Sequence, residues 1–328
     1  MDSVTPSADQ PVLEVRNLST WFDTGREVIK AVDDVSFTLR RGKTLCVVGE
    51  SGSGKSITAR SILNIVPRPG RIVQGSILLH QTSEAATGPV DIAKLDPKGR
   101  RVRPIRGRDI AMIFQEPMSS LSPVHTIGQQ IIEAIRLHRP MSRAEARARA
   151  IEVLGQVKIP RPEHSIDSYP FEFSGGMRQR AMTAMALVCE PKLLIADEPT
   201  TALDVTTQAE ILELMQNLQS LYGMALMFIT HDMGVVAEIA DDVAVMHNGK
   251  LVEQGPVNDI FLSPQHPYTQ RLLGSVMALE KRSHRAARKP VPDMQDNILE
   301  VDGLCMRFEG RKRFFGGSAG EAVHALGD

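Results

Sequence analysis

Two short segments place glycines beside hydroxyl or amino side chains in an arrangement that suits phosphate binding. The first, residues 49–56, reads GESGSGKS and lies between an apolar run at 44–48 and a helical pattern that starts at Lys55. Glycines allow successive backbone N–H groups to converge on phosphate oxygens, and a helix N-terminus adds a favourable dipole. The pattern G-x-x-x-x-G-K-[ST] in this context predicts a site for the phosphates of a nucleotide.

The residue types within this loop suggest separate roles. Lys55 is expected to reach the β- and γ-phosphates of ATP, and the Ser56 hydroxyl is expected to bind Mg²⁺. The backbone would supply the other donors to the phosphates. The residues predicted to contact the nucleotide are Gly49, Glu50, Ser51, Gly52, Ser53, Gly54, Lys55, Ser56 and Ile57.

Two carboxylates, Asp197 and Glu198, follow an apolar run at 192–196. Such a run predicts a buried strand, so both carboxylates stand at its carboxyl end. Asp197 is expected to bind Mg²⁺ directly or through water. Glu198 is then placed to accept a proton from the water that attacks the γ-phosphate, or to orient that water.

Two further polar residues follow predicted strands: Gln115 follows 110–114, and His231 follows 225–230. A neutral amide at position 115 can contact the metal or the water and so respond to the γ-phosphate. The imidazole of His231 can donate a hydrogen bond to the same phosphate. Together with Glu198 they form the predicted catalytic set.

The second glycine segment, Ser174-Gly175-Gly176, opens a predicted helix but contains no lysine. Its free backbone N–H groups and the helix dipole again favour an anion. One nucleotide does not need two phosphate sites in one domain. We therefore predict that this segment contacts ATP held by a second nucleotide-binding domain.

These candidate residues are predicted to be positioned by an α/β fold with a mostly parallel sheet. Continuous apolar runs at 44–48, 192–196 and 225–230 are typical of strands buried on both faces. Helical patterning at about 206–221 completes a βαβ unit between the last two runs, which is expected to be right-handed.

Two other regions are predicted to surround this core. Alternating polar and apolar residues at 12–18 and 31–39 indicate an antiparallel β subdomain at the amino-terminal side. Helical patterning predicts a subdomain inserted at about 116–180, in which Ser142 and Glu145 form a capping box.

Composition and charge limit the classes of partner. The 328-residue chain has a formal net charge of −1, so binding to nucleic acid through a polyelectrolyte surface is not expected. Its three cysteines are far apart and are expected to be buried apolar residues of a reducing compartment. No apolar run approaches the roughly 18 residues of a membrane span, so a membrane would be reached through a partner. The basic run at 98–108 is expected to be a solvated face, and binding of a partner or a lipid headgroup is the alternative.

The last residues of the chain repeat its first predicted strands. Residues 298–304, ILEVDGL, overlay residues 12–18, VLEVRNL, and residues 321–328 overlay 27–34. Because identities recur in register on both sides of a gap, we predict that a second nucleotide-binding domain starts here and is cut off. That fragment is expected to be poorly packed or disordered.

This repeat divides the chain into four predicted parts. They are a flexible N-terminus at 1–11, a nucleotide-binding domain at 12–279, a linker at 280–297 and the start of a second domain at 298–328.

These motifs resemble those of the ATP-binding subunits of ABC transporters, along nearly the whole chain. In that family's terms, residues 49–56 are the Walker A loop, Gln115 the Q-loop and His231 the switch histidine. The resemblance implies a P-loop NTPase core and an ATPase whose hydrolysis is coupled to transport. Residues 173–177 are the signature segment in that family's terms. The resemblance also implies that two such domains close head to tail, with each signature segment facing ATP on the opposite Walker A loop.

The resemblance assigns two further residues to the nucleotide site. Asp204 ends the D-loop of this family, and Phe22 resembles the aromatic residue that stacks on adenine. The neighbouring Trp21 is the alternative for the stacking role.

Other motifs resemble the peptide-importer branch of the family, including MIFQEPMSSLSP, ADEPTTALD and the downstream HPYT at 266–269. The tandem arrangement resembles fused double ATPases of this branch, especially the glutathione-importer type. The resemblance implies import of peptides or glutathione-like small solutes through a membrane permease. It places the protein peripherally at the cytoplasmic face of the cell membrane.

The same resemblance implies a set of partners. These are the permease subunits, a second nucleotide-binding domain (the missing half of this chain or a second copy of it) and, indirectly, a solute-binding protein. The alternative is a tandem ABC ATPase that acts on ribosomes, which should have a long charged helical linker between its domains. A DNA-repair ATPase of the SMC type would need long coiled coil between the Walker A loop and the signature, and neither feature is present.

Overall fold

The computed structural model describes residues 10–80, 88–115, 120–201, 204–274, 306–308 and 323–326. The chain divides into two compact units, residues 1–278 and 279–328. The predicted linker, most of the predicted second domain, Cys305 and residues 1–9 lie outside the described residues.

Within the described residues of the first unit there are ten strands, and the helices are labelled α1 to α8 in chain order. The strands are β1 Pro11–Asp23, β2 Val28–Arg40, β3 Thr44–Val48, β4 Gly70–Leu79, β5 Val90–Asp91, β6 Ile110–Ile113, β7 Leu193–Asp197, β8 Ala225–Thr230, β9 Asp242–His247 and β10 Lys250–Pro256. The helices are α1 Lys55–Ile62, α2 Ile127–His138, α3 Arg143–Gln156, α4 Pro162–Ser165, α5 Gly175–Leu187, α6 Val205–Tyr222, α7 Met233–Ile239 and α8 Val257–Leu262. Residues 267–274 form a further helix.

A six-stranded sheet in the order β10-β9-β3-β8-β7-β6 forms the centre of this unit. All neighbouring pairs are parallel except β9 with β10. Every residue of β3, β7 and β8 is buried, which explains why their sequences are continuous apolar runs. The predicted mostly parallel α/β core is therefore confirmed.

A second, antiparallel sheet in the order β2-β1-β4-β5 confirms the predicted amino-terminal β subdomain. It packs across α1 onto one face of the central sheet in a shared apolar core. Within this core the hydroxyls of Thr20 on β1 and Ser61 on α1 are hydrogen-bonded at 2.8 Å. That contact helps to fix α1, and with it the phosphate loop that precedes it.

Helices α2 to α5 form the predicted helical insertion between β6 and β7. The capping box of Ser142 and Glu145 is present, with both reciprocal hydrogen bonds. A second capping box, of Thr126 and Gln129, begins α2. These caps satisfy backbone N–H groups that would otherwise have no partner in the first turns of α2 and α3.

Two elements have different lengths from those predicted. Strand β1 continues to Asp23, beyond the alternating pattern at 12–18. A bulge at Asn17, with φ of +49°, interrupts the alternation of polar and apolar residues, so the pattern ends before the strand does. Helix α1 ends at Ile62 because Asn64 adopts a left-handed conformation with φ of +54°. The Asn64 side chain then donates hydrogen bonds to the carbonyls of Ile92 and Leu95.

The prediction of a solvated basic face at 98–108 is wrong for Arg106. Its guanidinium donates to the backbone carbonyls of Leu63 at 2.8 Å and Asn64 at 2.7 Å. These are carbonyls at the end of α1 that lack partners within the helix. Arg106 therefore ties the strand that precedes Gln115 to the helix that follows the phosphate loop.

The second unit contains an antiparallel hairpin of β11, Met306–Phe308, and β12, Val323–Leu326. Over the part of the chain that the structure describes, none of the helices combines the length and apolar character needed to cross a bilayer.

Candidate nucleotide site

The loop at 49–56 connects β3 to α1, as predicted, and its shape depends on two glycines. Gly49 has φ of +147°, and a Cβ there would lie 2.1 Å from the Met246 carbonyl oxygen. Gly54 has φ of +101°, and a Cβ there would lie 2.2 Å from the Ala31 carbonyl oxygen. Any larger residue would displace backbone from β9 or β2, so the loop conformation requires glycine at both positions.

Lys55 is buried at the base of this loop, with 5% of its surface exposed. Its ammonium group donates to the Gly49 carbonyl at 2.7 Å and the Glu50 carbonyl at 2.9 Å. Burial lowers the pKa of Lys55, and the charges of Glu198 and Asp197 act against that shift. The ammonium is thus held against the loop and near two carboxylates.

Ser56 on α1 and Asp197 on β7, two of the three predicted Mg²⁺ ligands, are in direct contact. The Ser56 hydroxyl donates to Asp197 Oδ1 at 2.9 Å. Asp197 is 2% exposed, and burial raises its pKa, while the Ser56 hydrogen bond acts against that shift. A buried carboxylate beside a hydroxyl is a pair of hard oxygen ligands whose desolvation a cation would offset, so these residues fit Mg²⁺.

Glu198 is the point at which the predicted catalytic residues meet. Its Oε2 accepts hydrogen bonds from Gln115 Nε2 at 2.9 Å and from Thr201 Oγ1 at 3.0 Å. Its Oε1 lies 3.3 Å from His231 Nδ1. The three contacts come from the segment after β6, from the turn after β7 and from the residue after β8.

The backbone of Glu198 is held in an unusual conformation, with φ of +48°. Its N–H donates to the Ile229 carbonyl on β8 at 2.9 Å, which stabilises this turn. Non-glycine residues seldom adopt such a conformation, and it occurs often at functional sites. Thr201, which was not among the predicted catalytic residues, belongs to the same turn because its N–H donates to the Glu198 carbonyl. Its position three residues after Glu198 was the available signal.

The side-chain amide of Gln115 is bonded to the carboxylate of Glu198, the predicted catalytic base. The other two predicted Mg²⁺ ligands, Ser56 and Asp197, are bonded to each other. Both predicted roles of Gln115, as a catalytic residue and as a metal ligand, stay predictions.

The signature segment lies at the start of α5, where the Ser174 hydroxyl accepts from the Met177 N–H at 3.3 Å. A Cβ on Gly175 would meet no atom within 4 Å, so this position is open. A Cβ on Gly176 would lie 2.9 Å from the Thr207 methyl group of α6. The signature turn therefore packs against α6 through Gly176 and is accessible at Gly175.

Asp204 caps α6, since its carboxylate accepts from the Thr207 N–H at 3.0 Å and from the Thr207 hydroxyl at 2.7 Å. These bonds lower the pKa of Asp204. Thr207 also contacts Gly176, so the signature turn and the D-loop carboxylate meet at one residue. The turn predicted to face a second domain is therefore adjacent to Asp204, which the resemblance assigns to the nucleotide site.

The two candidates for adenine stacking have different surroundings. Phe22 lies against the backbone of β4, since a Cβ on Gly70 would be 2.6 Å from its ring. Trp21 has the Lys30 ammonium 4.7 Å above its ring centroid. Consecutive strand residues point to opposite faces, so only one of the two rings can face a given ligand. The assignment of Phe22 stays a prediction.

Three comparisons with known proteins agree with this geometry. The ABC transporter family profile matches residues 32–201, and the profile of the oligopeptide/dipeptide transporter C-terminal region matches residues 252–314. A putative peptide import ATP-binding protein of Brucella melitensis is 49% identical over 96% of this chain and 92% of its own length.

Two other relatives extend the comparison. The glutathione import ATP-binding protein GsiA of Pectobacterium atrosepticum is 51% identical over 92% of this chain, which spans 48% of that relative. The dimeric structure of an ATP-binding cassette in a post-hydrolysis state, bound to ADP and phosphate, is 26% identical. It has a TM-score of 0.63 and covers 75% of this chain and 98% of its own.

The matching profiles and the half-identical relatives settle the family of the chain. The ABC transporter family profile and the related ATP-binding cassette support ATP hydrolysis by this chain. The chain belongs to the ABC transporter family, as an ATP-binding, ATP-hydrolysing subunit that carries the oligopeptide/dipeptide transporter C-terminal region.

Proposed function

We propose that this chain hydrolyses ATP to drive the import of peptides or glutathione-like small solutes through a membrane permease. The observation that carries the proposal is the convergence of Gln115, Thr201 and His231 on Glu198, beside the phosphate loop. The relatives named for peptide and glutathione import favour this function over action on ribosomes. The protein would then lie peripherally at the cytoplasmic face of the cell membrane.

Each residue of the cluster has a role in hydrolysis. Glu198 accepts a proton from the water that attacks the γ-phosphate, while Gln115 and Thr201 hold its carboxylate in place by donating to it. His231 donates to the γ-phosphate and Lys55 binds the β- and γ-phosphates. Ser56 and Asp197 would hold Mg²⁺, which neutralises phosphate charge when bound.

The nucleotide site is completed by a second domain of the same kind. Gly175 is open, and the N-terminus of α5 around it is a site for phosphate without a lysine. The Asp204 turn lies beside it through Thr207. A related cassette was solved as a dimer with ADP and phosphate, which supports a paired arrangement for this chain.

The permease is proposed to bind in a groove next to Gln115. This groove, of about 850 Å³, lies between β6 and α1 on one side and α2 and α5 on the other. Its lining includes Met112, Phe114, Ala134, Met182 and Met185. Phe114 is 37% exposed, as suits an apolar contact with a partner. Since Gln115 lines the groove and is bonded to Glu198, occupation of the groove acts on the catalytic base.

Residues 298–328 are proposed to be a second copy of the first hairpin of this domain. The paired residues in β1 and β2 are Phe22 with Ile29, Trp21 with Lys30 and Thr20 with Val32, with a register shift between Thr20 and Trp21. In β11 and β12 they are Phe308 with Val323, Arg307 with His324 and Met306 with Leu326, with a shift between Met306 and Arg307. The sequence overlay places each of these pairs on its counterpart.

The relatives differ on this point. GsiA is about twice the length that the chain spans, as a tandem protein would be. The Brucella relative, in contrast, is matched over 92% of its length. The repeated register therefore supports the second copy independently of the relatives.

The test is reconstitution of the chain in lipid vesicles with the permease subunits and the solute-binding protein encoded beside it. We expect peptide or glutathione to raise the ATPase rate, and the chain to co-purify with the permease. The Phe114→Ala variant should keep the basal rate but lose the stimulation by solute. Co-purification with ribosomes and no response to any solute would contradict the proposed function.

A further inference from the structure

The HPYT segment at 266–269, which the proposed catalytic steps do not use, lies against the phosphate loop. The Tyr268 hydroxyl oxygen accepts a hydrogen bond from the Glu50 N–H at 3.0 Å. Tyr268 is 3% exposed, although it belongs to a helix near the end of this unit. A residue more than 200 positions away in the sequence therefore contacts the Walker A loop directly.

This hydrogen bond acts on the same peptide group that holds the loop lysine. The peptide group between Gly49 and Glu50 accepts from the Lys55 ammonium at its carbonyl, at 2.7 Å. The N–H of that peptide group donates to Tyr268. The three groups form a chain, from ammonium through peptide to phenol, in which each hydrogen bond polarises the next.

The ring of Tyr268 is itself held in place from the central sheet. It stacks on His247, at the end of β9, with centroids 3.9 Å apart and an angle of 26° between the rings. The preceding residue of β9, Met246, lies under Gly49 of the loop. The end of β9 thus contacts the loop at Gly49 and supports the ring that binds the next residue of the loop.

The turn before the helix is fixed by a carboxylate on β10. Glu253 accepts from the N–H groups of Gln265 at 2.7 Å and His266 at 3.0 Å. The His266 ring nitrogen in turn accepts from the Tyr268 N–H at 3.2 Å. Because the turn before the helix is bonded to Glu253 and the Tyr268 ring is stacked on His247, the position of the Tyr268 hydroxyl is well defined.

We infer that Tyr268 is a positioning residue for the phosphate loop, and that it orients the Gly49–Glu50 peptide and, through it, the Lys55 ammonium for ATP. In this way the region matched by the oligopeptide/dipeptide C-terminal profile acts directly on nucleotide affinity. The inference rests on the proposed role of this loop in binding ATP. Without the phenol oxygen, the peptide can rotate at Gly49 and the lysine loses its fixed acceptor.

The test is Tyr268→Phe, which keeps the stacked ring and removes only the hydroxyl. Loss of one hydrogen bond of ordinary strength should raise both the KM and the dissociation constant for ATP about 3- to 10-fold. The kcat should stay within about twofold, because the residues around Glu198 are untouched. The dissociation constant is measured with a fluorescent ATP analogue, and KM and kcat by phosphate release.

Tyr222→Phe is the matched control, because the Tyr222 hydroxyl donates to Gln156 at 2.6 Å and joins α6 to α3. It should lower the melting temperature in the way that Tyr268→Phe does, while the KM for ATP stays at the wild-type value. A second pair of variants tests the stack. His247→Ala should raise the KM as Tyr268→Phe does, and His247→Phe, which keeps an aromatic ring, should not.

The possible outcomes separate this inference from the proposed function. Equal ATP affinity in wild type and Tyr268→Phe would overturn the role of Tyr268 and leave the proposed function standing. An equal rise in KM for Tyr222→Phe would also overturn it, since the effect would then be general loss of stability. Wild-type protein that does not bind ATP would overturn both.

Discussion

The side-chain amide of Gln115 donates a hydrogen bond to the carboxylate of Glu198 across 2.9 Å. This contact joins the segment after the edge strand of the central sheet, beside the groove proposed for the permease, to the proposed catalytic base. A change at the groove can therefore alter the position of the base without altering the phosphate loop.

Glu198→Gln should leave ATP binding intact and lower steady-state hydrolysis at least about 100-fold, because the amide cannot accept the proton from water. The measurement is phosphate release beside equilibrium binding of ATP. Glu213→Gln is the control, since Glu213 is 63% exposed on α6 and pairs with Lys158 only at 3.7 Å. Hydrolysis near the wild-type rate in Glu198→Gln would remove Glu198 from the catalytic role.

His231→Ala should lower kcat about 100-fold, the usual size of the effect when a proton-transferring or orienting side chain is lost. ATP affinity should change little, because Lys55 and the loop amides remain. The control is His164→Ala, at an exposed histidine of α4. A large loss of ATP affinity with an unchanged kcat would instead assign His231 to ground-state binding.

Asp197→Asn should raise the melting temperature of the nucleotide-free protein at neutral pH. Burial raises the pKa of Asp197, so the ionised carboxylate destabilises the folded state above that pKa. The difference in melting temperature between Asp197→Asn and wild type should shrink as the pH falls through the raised pKa of Asp197. It should vanish below the ordinary aspartate pKa of about 3.9. Each kcal/mol corresponds to about 2–4 °C in a domain of this size.

The control for this effect is Asp167→Asn, because the pKa of Asp167 is shifted in the opposite direction to that of Asp197. The Arg147 guanidinium lowers the pKa of the exposed Asp167 carboxyl, so loss of that charge should not raise the melting temperature at neutral pH.

In Asp197→Asn, Mg²⁺ should also cease to strengthen ATP binding. A Mg²⁺ effect as large as in wild type would show that the metal is held elsewhere.

Gly175→Asp should prevent the ATP-dependent pairing of two domains, because a carboxylate would then stand at the open start of α5. The experiment is size-exclusion chromatography with ATP in the Glu198→Gln background, where the closed pair should accumulate. Gly155→Asp, at an exposed glycine inside α3, is the control. Pairing that survives in Gly175→Asp would exclude the signature turn from the interface.

The repeated hairpin predicts a second phosphate loop in the gene. Asp34 and Asp328 are 294 positions apart, which places the second loop lysine near position 349. DNA sequencing beyond the codon for Asp328 checks this directly. A reading frame without another G-x-x-x-x-G-K-[ST] would contradict the tandem arrangement.

The sequence by itself determined the phosphate loop, the Asp197–Glu198 pair and the α/β core, because each depends on a local pattern. A glycine loop between a buried strand and a helix has few other uses, and parallel strands bring Gln115, Glu198 and His231 to one edge of the sheet. The bulge at Asn17 and the early end of α1 were not predicted. Both depend on a residue in the left-handed conformation, which interrupts a periodic pattern without a distinct signal in the sequence.

Only the tertiary structure decided which side chains meet. Arg106 on the end of α1 and Tyr268 on Glu50 join segments whose separation in the sequence carries no signal of contact. In each case a polar group gains a hydrogen-bond partner that only the packing of strands and helices brings within reach. For that reason the sequence identified the parts of the nucleotide site, and the fold decided what holds them in place.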